Sequence, residues 1–366
     1  MTKKLDSLRA EIDSVDDELL ALLDQRARIV ARATRAKRSA RLPLHDPERE
    51  KQIFERLEKR LTGTRRAAFP VAALRPVFRE ILSACLSVES ELTVTYFGPP
   101  GTYTHMAALR EFGTAARLVE ASTIPAVFDA VGTSASTYGV VPIENSTEGS
   151  VTYTLDSFLE STVSIRGEIV LDIAHCLVGR ATDDVAKIER VYSHPQALAQ
   201  CRDWLARNLP RAQLVVSLST STAARDAAAD DGGAAISSRL AAELAGLRVI
   251  REGIQDRKEN ATRFVILARE DAPPSGDDRT SIVFSTRDQR GALRRVLEIF
   301  DDEKLNLSRI ESRPRRGERW QYVFFTDLEG HRLDAGVTRA LARLDTKCDM
   351  VRVLGSYPRD RGAPAR

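Results

Sequence analysis

The sequence contains no apolar run approaching the roughly 20 residues needed to cross a bilayer. Its four cysteines (Cys85, Cys176, Cys201, Cys348) lie far apart, and its five histidines form no ligand-like cluster. The first absence argues against a membrane protein. The scattered cysteines suit reduced thiols rather than a disulfide framework. With no spacing that could hold a metal, neither a metal nor another cofactor is expected. Net charge is scarce as well, +3 over 366 residues, which argues against a dedicated nucleic-acid binder. The N-terminus, Met1-Thr2-Lys3-Lys4-Leu5-Asp6, is basic but lacks the apolar stretch of a secretory signal, so a cytoplasmic location is expected.

What is present is a soluble globular composition, 43% hydrophobic and 29% charged, on a chain long enough for two or three domains. From Leu5 to about Arg41 apolar residues recur at helical spacing (Leu5, Leu8, Ile12, Val15, Leu19, Leu22, Leu23, Ile29, Val30) without an internal glycine or proline. One long helix is predicted, broken at Pro43 and Asp46-Pro47. A second helix follows to about Leu61, and a third spans about 72–90. A helix of some 35 residues is about 50 Å long. Two shorter helices cannot cover its apolar stripe, so a homodimer or a higher homo-oligomer is expected.

That helix also carries Arg26, Arg28, Arg32, Arg35, Lys37, Arg38 and Arg41. A solvated face would account for such a run. The spacing allows something more specific. Arg26 and Lys37 lie about 20° apart in azimuth and roughly 16 Å apart along the axis, on one face. Arg9 is about 100° round from Arg26 and roughly 25 Å away, too far to complete one pocket in a single helix. An antiparallel partner helix could supply it.

Residues 5–90 resemble the all-helical chorismate mutase family. The matching residues are Arg9 in Leu8-Arg9-Ala10-Glu11-Ile12-Asp13, Arg26 in Leu22-Leu23-Asp24-Gln25-Arg26, Lys37, and Asp46, Arg49 and Glu50 in Asp46-Pro47-Glu48-Arg49-Glu50. The resemblance implies that the arginines hold the two carboxylates of chorismate. Lys37 would donate to the breaking ether oxygen and Glu50 would bind the ring hydroxyl. A pericyclic rearrangement needs no nucleophile, only a compact conformer and positive charge where the ether oxygen becomes negative. In the third helix the sequence departs from a common family pattern, with Cys85 at a frequent serine and Glu89 at a frequent glutamine. A carboxyl donates to the ether oxygen only when protonated. Mutase turnover is therefore expected to fall as pH rises, and Glu89→Gln to flatten the profile; an unchanged profile in that variant would remove Glu89 from the site.

From Thr93 short β-rich runs (93–97, 138–142, 190–192, 214–218, 234–237, 263–268) alternate with helical segments, which predicts α/β architecture. Polar clusters follow several of these strands: Gly98-Pro99-Pro100-Gly101-Thr102-Tyr103-Thr104-His105, Pro142-Ile143-Glu144-Asn145, Ser193-His194-Pro195-Gln196 with Gln200, Ser219-Thr220-Ser221-Thr222, and Asn260-Ala261-Thr262-Arg263-Phe264. Open α/β sheets bind ligands at strand ends of this kind. In this order the clusters resemble the prephenate dehydratase family over about residues 93–270, implying two α/β lobes with substrate between them. Its functional positions carry over to Glu144, Asn145, Ser193, Gln200, Ser219, Thr220, Ser221, Thr222, Thr262 and Arg263. Arg263 is expected to hold a carboxylate, and Thr262 to donate a hydrogen bond to the departing ring hydroxyl as carbon dioxide leaves.

Residues 271–278 have linker composition. Beyond them strands near 279–286, 307–315, 319–329 and 351–358, with helices near 291–305 and 335–348, give a split-βαβ, ferredoxin-like order. Gly291-Ala292-Leu293 and Glu311-Ser312-Arg313-Pro314 resemble the phenylalanine-binding motifs of the ACT regulatory domain. The free N–H groups at a helix start suit an amino-acid carboxylate.

The expected organisation is a helical mutase domain (1–92), a two-lobed α/β dehydratase domain (93–272), an α+β ACT domain (273–358) and a disordered tail (359–366). Its small-molecule partners would be chorismate, prephenate and L-phenylalanine as allosteric inhibitor, with no nucleic acid and no membrane. A ligand-responsive DNA-binding regulator would need a helix-turn-helix where the sequence shows one uninterrupted helix. A secreted solute-binding protein would need an export signal.

Overall fold

In the computed structural model, residues 2–40, 47–64, 68–87, 92–180, 185–257, 259–287, 289–315 and 321–360 are described. They divide into two compact units, one of residues 1–93 with 109–117 and the other containing the rest. Among the described residues no helix is long and apolar enough to cross a membrane.

The first unit is built on α1 (Thr2–Ser39), α2 (Pro47–Thr62) and α3 (Val71–Ser87). α1 is a single helix of 38 residues, as its unbroken spacing requires. Pro47 opens α2, where a missing N–H costs nothing. Phe54 on α2 and Leu74 and Leu82 on α3 form a small core, with the Arg75 and Arg79 guanidinium groups over the Phe54 ring at 5.3 and 5.2 Å. The apolar face of α1 stays open: Leu8, Ile12, Val15 and Leu19 are about half exposed, at 47%, 59%, 55% and 52%.

Beyond α3 the chain runs β1 (Thr93–Phe97), α4 (Tyr103–Phe112, whose residues from 109 on belong to the first unit), β2 (Arg117–Ala121), α5 (Ile124–Gly132), β3 (Tyr138–Asn145), β4 (Gly149–Ser150), α6 (Thr152–Glu160) and β5 (Ser164–Asp172). It then builds a second lobe from β6 (Cys176–Gly179), β7 (Arg190–Ser193), α7 (Pro195–Gln200), α8 (Arg202–Asn208), β8 (Gln213–Val216), α9 (Thr220–Ala228), β9 (Gly233–Ser237), α10 (Arg239–Leu244) and β10 (Arg248–Arg251). It returns to the first lobe as β11 (Ala261–Ala268). The first sheet has the order β2-β1-β3-β11-β5, with β4 beside β3, and the second β10-β6-β9-β7-β8.

The remainder is β12 (Asp278–Ser285), α11 (Ala292–Asp302), β13 (Leu307–Pro314), β14 (Tyr322–Glu329), α12 (Ala335–Asp345) and β15 (Met350–Pro358), a sheet of order β13-β14-β12-β15. One face packs α11 and α12 through Ile282, Phe284, Val296, Phe300 and Leu344. From the other, Val283, Phe325, Leu354 and Tyr357 join Val141, Ile143, Phe158 and Ile165 of the first lobe in one core. β15 approaches β5 so closely that a Cβ on Gly355 (φ +156°) would lie 2.1 Å from the Ile165 carbonyl oxygen, which only glycine avoids.

Two expectations need correction. The linker-like segment is structured, because Asp278 accepts hydrogen bonds from the Ser275 and Gly276 N–H groups and the Ser275 hydroxyl, and Ala272 is buried in the shared core. Arg359 and Asp360, expected in a disordered tail, are held in place. Arg359 pairs with Asp277 and Glu329, and Asp360 bridges to the Val170 N–H and Glu168. Residues 361–366 lie outside the described residues.

Candidate active site

Between the lobes of the second unit lies a cavity of about 660 Å³ lined by the starts of α4, α6, α7 and α9 and by Asn145, Gln200, Asn260, Thr262 and Phe264. The lobes are tied beside it by backbone carbonyls. Ser221 donates to the Pro100 carbonyl, Ser238 to that of Gly101 at 2.9 Å, and Tyr103 to that of Ala174 at 2.7 Å. Gly101 (φ +89°) lies against Ala241, leaving no room for a side chain. His105 stacks on Tyr96 and accepts from the Gly101 N–H at 3.1 Å, so it shapes this loop; burial lowers its pKa.

β3 and β11, which carry the Glu144-Asn145 and Thr262-Arg263 motifs, are antiparallel neighbours, with Thr262 opposite Asn145 and Arg263 opposite Glu144. Successive strand residues point to opposite faces. Thr262 and Asn145 therefore share the cleft face, where the Asn145 Nδ2 donates to the Thr262 Oγ1 at 2.8 Å. The Asn145 Oδ1 accepts from the Thr147 and Glu148 N–H groups, which fixes the amide.

Arg263 and Glu144 face away from the cleft, and this overturns the expectation that Arg263 holds a substrate carboxylate there. Its guanidinium, 10% exposed, reaches Glu144 (2.9 Å), Glu168 (3.3 Å) and Asp327 of β14 (2.6 Å), with Arg279 also paired to Glu168. Burial raises the Glu168 pKa against the pull of both arginines. At Asp327 burial acts the same way but is overcome by Arg263, Arg309 and Arg279, which hold that carboxyl below the usual range.

Among the described residues that line the cavity there is no lysine or arginine. Gln200, Ser219, Thr220 and Thr222 line it. Ser193 does not, being fully buried with its hydroxyl donating to the Ile236 carbonyl at 2.7 Å. Ser221 faces the lobe junction rather than the cavity. Tyr103 and Asn260, which stand in two of the polar clusters but were given no role, line it too, as does His175. His175 gave no signal, since it stands outside every cluster, before the apolar start of β6.

In the first unit Arg9 is exposed and pairs with Asp6, while Arg26 and Lys37 are half-buried. One Arg26 Nη is buried without a partner. Arg49 lies on the exposed start of α2, and Cys85 is buried in α3. Glu50, expected to bind a ring hydroxyl, is buried and paired with Arg79, which also donates to the Glu111 carbonyl at 2.7 Å. Asp46 and Glu89 lie outside the described residues.

In the C-terminal sheet Gly291 (φ +76°) makes the turn into α11, opening the helix that Ala292 and Leu293 begin. The alternate residues of β13 point at the first lobe: Glu311 accepts from Ser150 (3.0 Å), Arg309 donates to Ser150 (2.6 Å), and Arg313 pairs with Asp156 (3.2 Å). Glu311 and Arg313 are thus engaged by the dehydratase-like lobe rather than free for a ligand, while Ser312 and Pro314 are exposed on the other face.

Family profiles match in three consecutive stretches: chorismate mutase type II over residues 8–90, prephenate dehydratase over 94–272, and the ACT domain over 280–346. A bifunctional chorismate mutase/prephenate dehydratase of Aquifex aeolicus (strain VF5) is 47% identical over 360 residues, covering 98% of each chain. The crystal structure of prephenate dehydratase from Arthrobacter aurescens in complex with L-Phe superposes with a TM-score of 0.69 at 36% identity, covering 75% of this chain and 92% of that one. A structure described as a novel type of quorum quenching acylase, GqqA, gives 0.67 at 29% identity, covering 74% and 98%. Fold alone does not choose between the activities of the last two. The full-length likeness does, and the chain belongs to the bifunctional chorismate mutase/prephenate dehydratase family.

Proposed function

We propose that the helical unit rearranges chorismate to prephenate, that the cleft converts prephenate to phenylpyruvate, and that L-phenylalanine acts through the C-terminal sheet to inhibit the second step. The observation that carries the cleft assignment is the Asn145–Thr262 pair. Because the Thr262 oxygen already accepts from Asn145, its own proton is left to donate, and a hydroxyl that accepts a hydrogen bond is a stronger donor. In the reaction the bond from the ring to its carboxylate breaks and releases carbon dioxide. Its electron pair enters the ring, and the hydroxyl on the opposite carbon leaves toward Thr262 as hydroxide, which takes up a proton from solvent to become water. Aromatisation drives the step; Thr262 needs only to stabilise the leaving oxygen.

With no lysine or arginine among the described residues that line the cleft, the two substrate carboxylates are received by neutral donors: the Gln200 amide, the hydroxyls of Ser219, Thr220 and Thr222, and the free N–H groups at the starts of α4, α6 and α9. The route for inhibition is short, because Ser150 touches both the cavity and β13.

The mutase site is completed by a second copy of the chain. α1 is one continuous helix, so Arg9 and Arg26 of one chain stay roughly 25 Å apart. The half-exposed apolar residues that precede Arg26 offer the surface on which a second α1 would pack.

Supplying chorismate and following prephenate and phenylpyruvate, with and without phenylalanine, tests the whole reading. Both products are expected in succession, with phenylpyruvate suppressed by phenylalanine. Prephenate accumulating without phenylpyruvate would remove the cleft assignment, and unconsumed chorismate would remove that of the helical unit.

A further inference from the structure

The amide groups at the cleft form one hydrogen-bonded chain whose sense can be read from end to end. It starts at the backbone, where the Thr147 and Glu148 N–H groups require the Asn145 Oδ1 to accept (2.9 and 3.1 Å). The Asn145 Nδ2 must then donate, and it does so to the Thr262 Oγ1 and to the Asn260 Oδ1, both at 2.8 Å. Asn260 is thereby oriented with its Nδ2 donating to the Gln200 Oε1 at 3.2 Å. That oxygen is also 2.8 Å from the His175 Nε2, which has to carry the proton, since the Gln200 oxygen can only accept. The Gln200 Nε2, a buried donor on a residue lining the cavity, is left with no protein partner.

We propose that His175 is a positioning residue of the dehydratase: as its Nε2–H tautomer it holds Gln200 with the carbonyl turned away and the amide nitrogen free to donate to a substrate carboxylate. The proposal rests on the cleft being the dehydratase site. It assigns work to a histidine that is 3% exposed and touches no expected catalytic atom. The opposite tautomer would accept at Nε2 and draw the Gln200 NH2 group toward itself. That would set it against the Asn260 NH2 and present a carbonyl oxygen to an anionic substrate. Burial also lowers the His175 pKa against the bond to Gln200, consistent with a neutral ring. The other ring nitrogen, Nδ1, has no partner and does not compete for the proton.

The test uses the full chain and prephenate, comparing His175→Leu, His175→Gln, Gln200→Leu and the double variant His175→Leu/Gln200→Leu. His175→Leu is expected to raise KM for prephenate about tenfold or more, the scale of a hydrogen bond to a charged group. His175→Gln, which can place an N–H near the Nε2 position, should recover most of that loss. In the Gln200→Leu background the His175→Leu change should cost little more, because it acts through a side chain already removed. Equal losses for His175→Leu with and without Gln200, or no recovery by His175→Gln, would overturn the proposal and leave His175 a packing residue. A parent chain that made no phenylpyruvate would instead overturn the assignment of the cleft.

Discussion

Replacing Thr262 with alanine should cut phenylpyruvate formation by about a hundred- to a thousandfold, the range seen when one donor to a developing anion is removed. Prephenate formation from chorismate should be unchanged in the same preparation. The substitution is mild structurally: Thr262 is 9% exposed at the cavity wall, and Asn145 keeps Asn260 as a partner when the hydroxyl is gone. The loss should fall on kcat more than on KM, because the leaving oxygen becomes negative only as the bond breaks. Thr262→Ser, which keeps the hydroxyl, should retain much of the activity. Equal loss of both activities in Thr262→Ala would mean that the chain had misfolded. Full retention of dehydratase turnover would exclude Thr262 from the chemistry.

Arg263→Met should lower the melting temperature of the second unit by roughly 10 °C. Removing the guanidinium leaves Glu144, Glu168 and Asp327 facing one another, two of them almost fully buried. Breaking a buried charge pair from one side costs about 3–5 kcal/mol, and each kcal/mol is worth about 2–4 °C in a unit of this size. Adding Asp327→Asn should restore part of the loss, because it leaves two carboxylates, Glu144 and Glu168, facing the two remaining arginines, Arg279 and Arg309. The resemblance to the dehydratase family implied a different result, since an arginine that held a substrate carboxylate would raise KM and leave the melting temperature alone. That outcome in thermal unfolding and kinetics would refute the position described here.

The contrast shows what the sequence could convey. Thr262-Arg263 and Glu144-Asn145 stand out as motifs, but period-2 alternation sends each pair to two faces, and only the register of β3 with β11 says which member meets the cleft. The long α1 was legible because nothing interrupts its apolar spacing. β5 was not, because Arg166 and Glu168 are buried in it with partners far along the chain, so the strand lacks an apolar pattern. Ser193 was expected at the site because the resemblance to the dehydratase family carried it over. Its hydroxyl instead satisfies a carbonyl of a neighbouring strand. The shared core with the C-terminal sheet was hidden for a similar reason: two-sided burial of a four-stranded sheet cannot be read from one strand at a time.

The order β2-β1-β3-β11-β5 has a consequence for how the protein is made. β11 lies between two strands that leave the ribosome almost 90 residues or more before it, and the whole second lobe is synthesised in the interval. The second lobe is continuous in sequence and is free to close on its own. The first lobe must wait with a gap in its sheet, its unpaired edges exposed to neighbouring nascent chains. Thr262 sits on the strand that fills that gap, so the proposed dehydratase centre and the closure of the first lobe arrive together, and a translation product that stops short of β11 would carry neither.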